Sequence, residues 1–246
     1  MNSLSMSGKT VPSIGTKKES SLHRSLKFHY SGDDGATETP AGSYVCDART
    51  AGGELIEVQT GSFGPLKEKV KNLTKKAKVR IIHPIVIQKH IELFDAKGSL
   101  LHRRKSPRKG SAWDLFNVLL YAPELPLQKK LAIELAVIDI TEKRINDGSG
   151  SWRRKGVRIA DRFLGAWHKS ILLKAPKDYH RFVPFRKTEQ FTVRNLAEKA
   201  GINAGLARKT LYVLTKMGIV ERIGKQGNAI IYRRCNANGR GGKSGQ

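Results

Sequence analysis

Acidic residues are scarce in this chain. Over 246 residues, 21 Asp and Glu stand against 46 Lys and Arg, a formal net charge of +25. A surplus of that size points to a polyanionic partner, nucleic acid first. The alternatives are a surface charged for solubility or a ribosome-bound protein. Cysteine is nearly absent, with Cys46 and Cys235 alone. Two residues so far apart exclude a disulfide framework and a cysteine zinc site, and they fit a reducing compartment. No apolar run is long enough to span a bilayer, and no signal-peptide core is visible. The expectation is a soluble cytoplasmic protein that does not contact membranes. What is present is adequate for cores: 39% of residues are apolar, and the length suits one larger domain and one small one.

Residues 1–17 are rich in Ser, Gly and Lys and are expected to form a disordered basic tail, with a second tail at 236–246. Glu19 to Tyr30 reads as a helix, because Leu22, Leu26 and Tyr30 recur every four residues. Glu19, His23 and Lys27 line the neighbouring stripe, and Gly32-Asp33-Asp34-Gly35 ends the helix. Tyr44 to Asp47 and Leu55 to Thr60 alternate as strands around the turn Thr50-Ala51-Gly52-Gly53. Pro65 to Lys76 is a helix with Leu66, Val70 and Leu73 inward, and Pro65 suits its first turn. Val79 to His83 is a short apolar strand. Strand, helix, strand implies a right-handed crossover and parallel pairing.

Ile91 to Phe94 and Ser99 to His102 form a second hairpin. Arg103 to Lys109 reads as a basic loop, Trp113 to Tyr121 as a helix and Ile133 to Ile140 as a strand. Asn146 to Gly156 reads as a linker-like basic loop, and Val157 to Leu173 as a helix on the spacing of Phe163, Trp167 and Ile171. Residues 146–187 would then be a basic linker with a connecting helix between a larger domain, 18–145, and a small one, 188–235. In the small domain Thr192 and Asn203 can cap two helices, ended by Gly201 and Gly218. Two strands follow, joined by Gly224-Lys225-Gln226-Gly227-Asn228. This is the pattern of a winged helix-turn-helix. Its second helix would turn Ala204, Gly205, Arg208, Lys209 and Tyr212 to the DNA major groove, with Lys225 near phosphate. A protein-docking module with a solvated basic face is the alternative.

If the first hairpin closes across Gly52-Gly53, Asp47 and Glu57 can sit close together at one edge of a sheet. Two hard carboxylates so placed suit Mg²⁺ or Mn²⁺. An acid, a hairpin and the triplet Glu57-Val58-Gln59 resemble the core of the PD-(D/E)XK nuclease superfamily, with glutamine for the usual lysine and Cys46 before Asp47 where the name has proline. The resemblance implies an α/β fold: a restriction-endonuclease-like mixed sheet flanked by helices. It implies that Asp47, Glu57 and the Val58 carbonyl bind metal and that Glu19 holds a metal-bound water. Gln59 would position the attacking water, and Lys67 or Lys69 would supply the missing charge. Glu38 ranks below Glu19 as a supporting acid. His23 either orients Glu19, touches phosphate or is structural; His83 reads as structural. Leu22-His23-x-x-Leu26-Lys27, Ile56 to Thr60, Arg80 to Ile85, Arg104 to Gly110 and Gly224 to Ala229 further resemble an uncharacterised prokaryotic family that pairs such a core with a winged helix. That likeness covers nearly the whole chain and implies no activity of its own.

The expected function is a Mg²⁺-dependent DNA endonuclease. Arg104, Lys105, Arg108, Lys109, Arg153 and Arg154 are candidate backbone clamps. Trp152 is a candidate for base stacking or for packing on its own loop. A homodimer is a candidate assembly, since both strands would be cut. The competing readings are a nuclease-like DNA-binding regulator that no longer cuts and, third, a structure-specific RNA-binding protein.

Overall fold

The computed structural model describes residues 19–32 and 35–235. The tails expected at 1–17 and 236–246 lie outside the described residues, as do Asp33 and Asp34. Helix α1 (Ser21–Ser31) is capped by Ser20, whose hydroxyl accepts the His23 N–H at 3.3 Å. Leu22 and Leu26 are its buried stripe. Glu19 therefore stands just before the cap, not on the helix.

Three strands follow: β1 (Ala36–Ala41), β2 (Tyr44–Arg49) and β3 (Leu55–Val58). β1 is additional to the sequence expectation; it is exposed along most of its length, so it carries no apolar alternation to read. Pro65 starts a 3₁₀ turn (Gly64–Leu66) that leads into α2 (Lys67–Lys76) and then β4 (Val79–Asp95). β3 and β4 pair in parallel across α2, as the crossover requires.

β4 runs well past the expected His83, straight through Pro84. The carbonyls of Lys78 and Ile82 accept from Leu55 and Gln59, while the Val79 N–H donates to Lys130 on the other side. By alternation the Pro84 nitrogen faces the β3 side, where β3 has already ended at Val58. The Gln59 carbonyl that an N–H at this position would reach accepts instead from His83 Nδ1 at 2.6 Å, so proline is tolerated there.

β5 (Leu100–Lys105) folds back on the far half of β4. Arg103, Arg104 and Lys105 thus lie on a strand, and only 106–109 remain of the expected basic loop. α3 (Leu115–Leu119) follows a 3₁₀ turn over Ala112–Asp114. β6 (Leu131–Asn146) pairs with β4 in parallel, and β7 (Val157–Leu173) pairs with β6 antiparallel.

This corrects the region 146–187. Val157–Leu173 is a strand, not a connecting helix, and the Asn146–Gly156 segment is the turn of a hairpin, not a linker. A boundary at 145 would cut through β6. The spacing of Phe163, Trp167 and Ile171 by four residues fits a helical stripe and one face of a strand equally well. Three register shifts in the β6–β7 ladder blur the alternation that would have separated the two.

The large sheet has the order β1-β2-β3-β4-β6-β7, with β5 on β4. Its two faces carry two cores. Leu55, Ile81 and Leu135 point to one shared with α2 and α3, and Ile56, Ile82 and Ala136 to one covered by α1. The fold is therefore a mixed α/β sheet flanked by helices.

The chain then crosses a 3₁₀ segment (Pro176–Phe182) to β8 (Gln190–Phe191), α4 (Val193–Ala200), α5 (Ala204–Lys216), β9 (Val220–Gln226) and β10 (Ala229–Arg234). Thr192 and Asn203 cap the two helices, accepting the N–H groups of Asn195 and Leu206, and Gly201 takes the left-handed C-cap at φ 63°. These elements share the α2-face core. Phe182 meets Phe116 edge-on at 4.9 Å, and Phe185 stacks on Phe191 at 4.1 Å. Among the described residues no helix is long and apolar enough to cross a membrane, which says nothing of strands.

Candidate functional site

The β2–β3 ladder stops at Ala48 and Ile56. One residue further, Asp47 turns its carboxylate into the gap, and Oδ2 accepts the Val58 N–H at 2.7 Å. A side chain thus replaces a strand bond, which fixes the carboxylate at the sheet edge. His23 reaches it from α1. Its Nε2 lies 2.9 Å from the Val58 carbonyl oxygen and 3.5 Å from Asp47 Oδ2, and its Nδ1 lies 2.5 Å from Glu19 Oε1. Lys27, one turn on, sits 3.1 Å from both Glu19 and Glu38. Glu38 adopts a φ of 50°, uncommon for a residue with a Cβ, and turns toward α1.

Glu57 belongs to the other layer. It is 5% exposed, and Lys69 Nζ of α2 lies 2.5 Å from its Oε1 while donating to the Val45 carbonyl at 2.7 Å. Asp47 is thus held by α1 and Glu57 by α2. Their acidities are pushed apart. Burial raises the Asp47 pKa, but His23 and the Val58 N–H outweigh it and hold the carboxyl below its ordinary value. Burial lifts Glu57 above its ordinary value, Lys69 opposes this, and the Asp47 charge adds to it. Burial likewise disfavours charge on His23, yet Asp47 and Glu19 raise its pKa to about 9. Burial would raise Glu19, and His23 and Lys27 bring it down.

The remaining expected residues fall as follows. Gln59 gives its amide N–H to the Ser62 carbonyl at 2.6 Å, so its side chain is committed to the loop after β3. Of the two lysines expected to replace the missing charge, Lys69 is the one at Glu57. His83 is buried, with Nδ1 2.6 Å from the Gln59 carbonyl oxygen. His23, expected to orient Glu19, touch phosphate or be structural, is the residue that joins Glu19 to Asp47. Its signal in the sequence is its place four residues after Glu19, across the Ser20 cap.

Among the described residues no group of three His, Cys, Asp or Glu side chains is arranged to hold a metal ion. Mg²⁺, however, is commonly held by one or two carboxylates plus substrate phosphate and water. The donor chemistry of Asp47, Glu57 and the Val58 carbonyl, all hard oxygens, fits that pattern.

Two basic surfaces accompany this cluster. The turn after β6 folds back beside β5, so Arg104, Arg144, Arg153, Arg154 and Lys155 line one groove of about 300 Å³. Arg104, Arg153 and Arg154, distant in sequence, are thus brought together. Lys105, Arg108 and Lys109 do not line this groove. Trp152 is 82% exposed, with the Arg153 guanidinium 5.5 Å from its ring centre. On α5, Ala204, Arg208 and Tyr212 line a groove of about 750 Å³ with Arg222 and Asn228 of the β9–β10 hairpin. Lys225 is exposed on β9. Lys209 does not face the groove as expected: its ammonium donates to Asn117 Oδ1 of α3 at 2.8 Å, toward the large sheet.

Residues 20–174 match the family described as "Domain of unknown function (DUF8091)". An uncharacterized protein of Treponema pallidum (strain Nichols) is 27% identical over 222 residues, covering 90% of this chain and 87% of its own. No solved structure matches.

Proposed function

The chain belongs to the DUF8091 family, and from that premise we propose that it is a metal-dependent DNA endonuclease, a restriction-endonuclease-like core set on DNA by a C-terminal winged helix. One observation carries the reading. Glu19, Asp47 and the Val58 carbonyl, oxygens that the nuclease resemblance assigns to the metal site, converge on a single cationic ring, His23. Glu57, the remaining assigned acid, feels the Asp47 charge from the neighbouring strand. Carboxylates gathered this way are costly without positive charge among them.

Asp47 and Glu57 would hold Mg²⁺ or Mn²⁺, which when bound supplies an acidified water and neutralises charge on the phosphate. The chain's own residues do the rest. Asp47 stays ionised across the neutral range because His23 and the Val58 N–H favour its charged form. Glu19, oriented by His23, holds a water. Lys69 brings to Glu57, from α2, the positive charge that Gln59 lacks. The grooves on α5 and beside β5 contact DNA, with phosphate contacts fixing register.

A second reading has its own support. His23 and Lys69 already compensate both acids with no added cation, which suits a nuclease-like DNA-binding regulator that does not cut.

The test incubates the protein and its Glu57→Ala variant with supercoiled, linear and branched DNA in Mg²⁺, Mn²⁺ or EDTA. Metal-dependent cleavage by the parent alone establishes the nuclease. Equal cleavage by both removes Glu57 from the site. Tight binding by both with no cleavage on any substrate selects the regulator.

A further inference from the structure

A cavity of about 380 Å³ opens where the amino end of α1 meets the middle of β4, β6 and β7. Leu22 and Thr60 are on its wall, which places it beside the acid cluster, one residue beyond Gln59.

Its charges do not cancel. Glu142 on β6 is 1% exposed and serves three cations. Oε1 accepts from Arg144 at 2.8 and 2.6 Å, Oε2 accepts from Arg162 Nε at 2.9 Å, and Lys89 Nζ lies 3.6 Å from Oε2. Arg162 and Lys89 line the cavity with Glu142, so one carboxylate there faces two cations, while Arg144 lines the groove beside β5. Arg108 adds another cation from the loop after β5. Gly110 holds that loop against β4: its N–H donates to the Val86 carbonyl at 2.8 Å, and a Cβ there would come within 2.5 Å of the same oxygen. Asp114, the other acid on the wall, is spent on the Ser111 N–H at 2.9 Å and the Asn117 amide at 3.3 Å.

His83 completes the lining. It is 5% exposed, and burial holds its pKa below the ordinary value. The ring is therefore neutral, and with Nδ1–H donated to the Gln59 carbonyl, Nε2 is left as an acceptor. Two guanidinium groups, an ammonium and one acceptor in a small cavity match a phosphate, whose oxygens take forked donors and whose hydroxyl or ester neighbours can donate.

We propose that this cavity takes a phosphate group of the nucleic-acid strand, held by Lys89, Arg108 and Arg162. The phosphate site stands on the cavity alone; its link to nucleic acid rests on the nuclease reading.

The metal-free full chain is titrated calorimetrically with inorganic phosphate. The expected result is saturable binding at one site. Arg108→Gln and Lys89→Gln each weaken it by about tenfold to a hundredfold, the worth of one charge-assisted hydrogen bond. Lys129→Gln, in the exposed turn before β6, leaves it unchanged. Arg108 lies in an exposed loop, so its variant keeps the parent's unfolding midpoint. Binding that does not saturate, or equal affinity in parent and both cavity variants, overturns the site. Oligonucleotides with a 5′-phosphate or a 5′-hydroxyl then compete against inorganic phosphate. Displacement by the first alone identifies a strand terminus; equal displacement by both identifies an internal phosphodiester. Displacement by neither overturns the nucleic-acid assignment. No arm reads cleavage, so an inactive core and an empty cavity give different results.

Discussion

His23 Nε2 stands 3.5 Å from Asp47 Oδ2 while its other ring nitrogen is 2.5 Å from Glu19, so one imidazolium ties two carboxylates from different segments. The tie has a pH signature. The folded His23 pKa is raised to about 9 from an ordinary 6.5. A base with a raised folded pKa contributes fully below its unfolded value and loses that contribution as pH rises through the folded one. The unfolding midpoint is expected to hold its His23 contribution up to near pH 6.5 and to lose it by about pH 9. His23→Asn should remove this alkaline decline. Thermal unfolding of both proteins across that window checks it, and parallel curves would reject the tie.

Asp47 and Glu57 should respond to neutralisation with opposite signs. Asp47 has a lowered folded pKa, so its charged form stabilises the fold above its ordinary value, and the contribution is lost as pH falls through the folded one. Asp47→Asn is expected to cost about 1–3 kcal/mol at neutral pH. Glu57 has a raised folded pKa, so its ionised form weakens the fold. Glu57→Gln is expected to stabilise by about 0.5–2 kcal/mol, the usual size of a stabilising substitution. Denaturant unfolding at neutral pH reads both signs.

The hairpin tip between β6 and β7 depends on Gly150, whose N–H donates to the Gly156 carbonyl at 2.7 Å. A Cβ at Gly150 would lie 2.1 Å from the Val157 backbone. Gly150→Ala should open the tip and scatter Arg153, Arg154 and Lys155 away from Arg104. Duplex binding, measured by anisotropy over a salt series, should weaken, with a log–log slope shallower by about 0.9 for each phosphate no longer neutralised. An unchanged slope would remove this groove from the DNA interface.

Arg208 and Lys209 are neighbours in sequence with different surroundings. Arg208 and Tyr212 line an open groove, whereas Lys209 is bonded to Asn117. Arg208→Ala should weaken the proposed DNA binding by about tenfold or more, the worth of one charged hydrogen-bond donor. Lys209→Ala should leave affinity near the parent's and lower the unfolding midpoint. The reverse pattern would mean that α5 presents its other side.

Much of this arrangement was legible because its signals are local. A serine, threonine or asparagine before an apolar stripe marks a helix start wherever the chain goes next, and Thr192 and Asn203 cap as the sequence implies. The β2–β3 hairpin and the α2 crossover follow from turn residues and period. β7 was not legible. Phe163, Trp167 and Ile171 satisfy two periods at once, and only the length of its partner β6 decides between them. In the candidate site the acids were visible by type and spacing. The contact of His23 with Glu19 was among the readings its spacing allowed, but its tie to Asp47 and the Val58 carbonyl was not, because those groups arrive from β2 and β3. Lys209 failed for the same reason: Asn117 lies 92 residues away along the chain.

The aromatic contacts that run from Phe116 through Phe182, and from Phe185 to Phe191, put the C-terminal helices and the large sheet on one continuous core. This shared packing holds one against the other. In the proposed nuclease the distance from the bases under α5 to the phosphate beside Asp47 is then a dimension of the fold, as in a ruler with both ends fixed. Cut positions should fall at a constant offset from the bound site, and no shortening or lengthening of a tether could tune them.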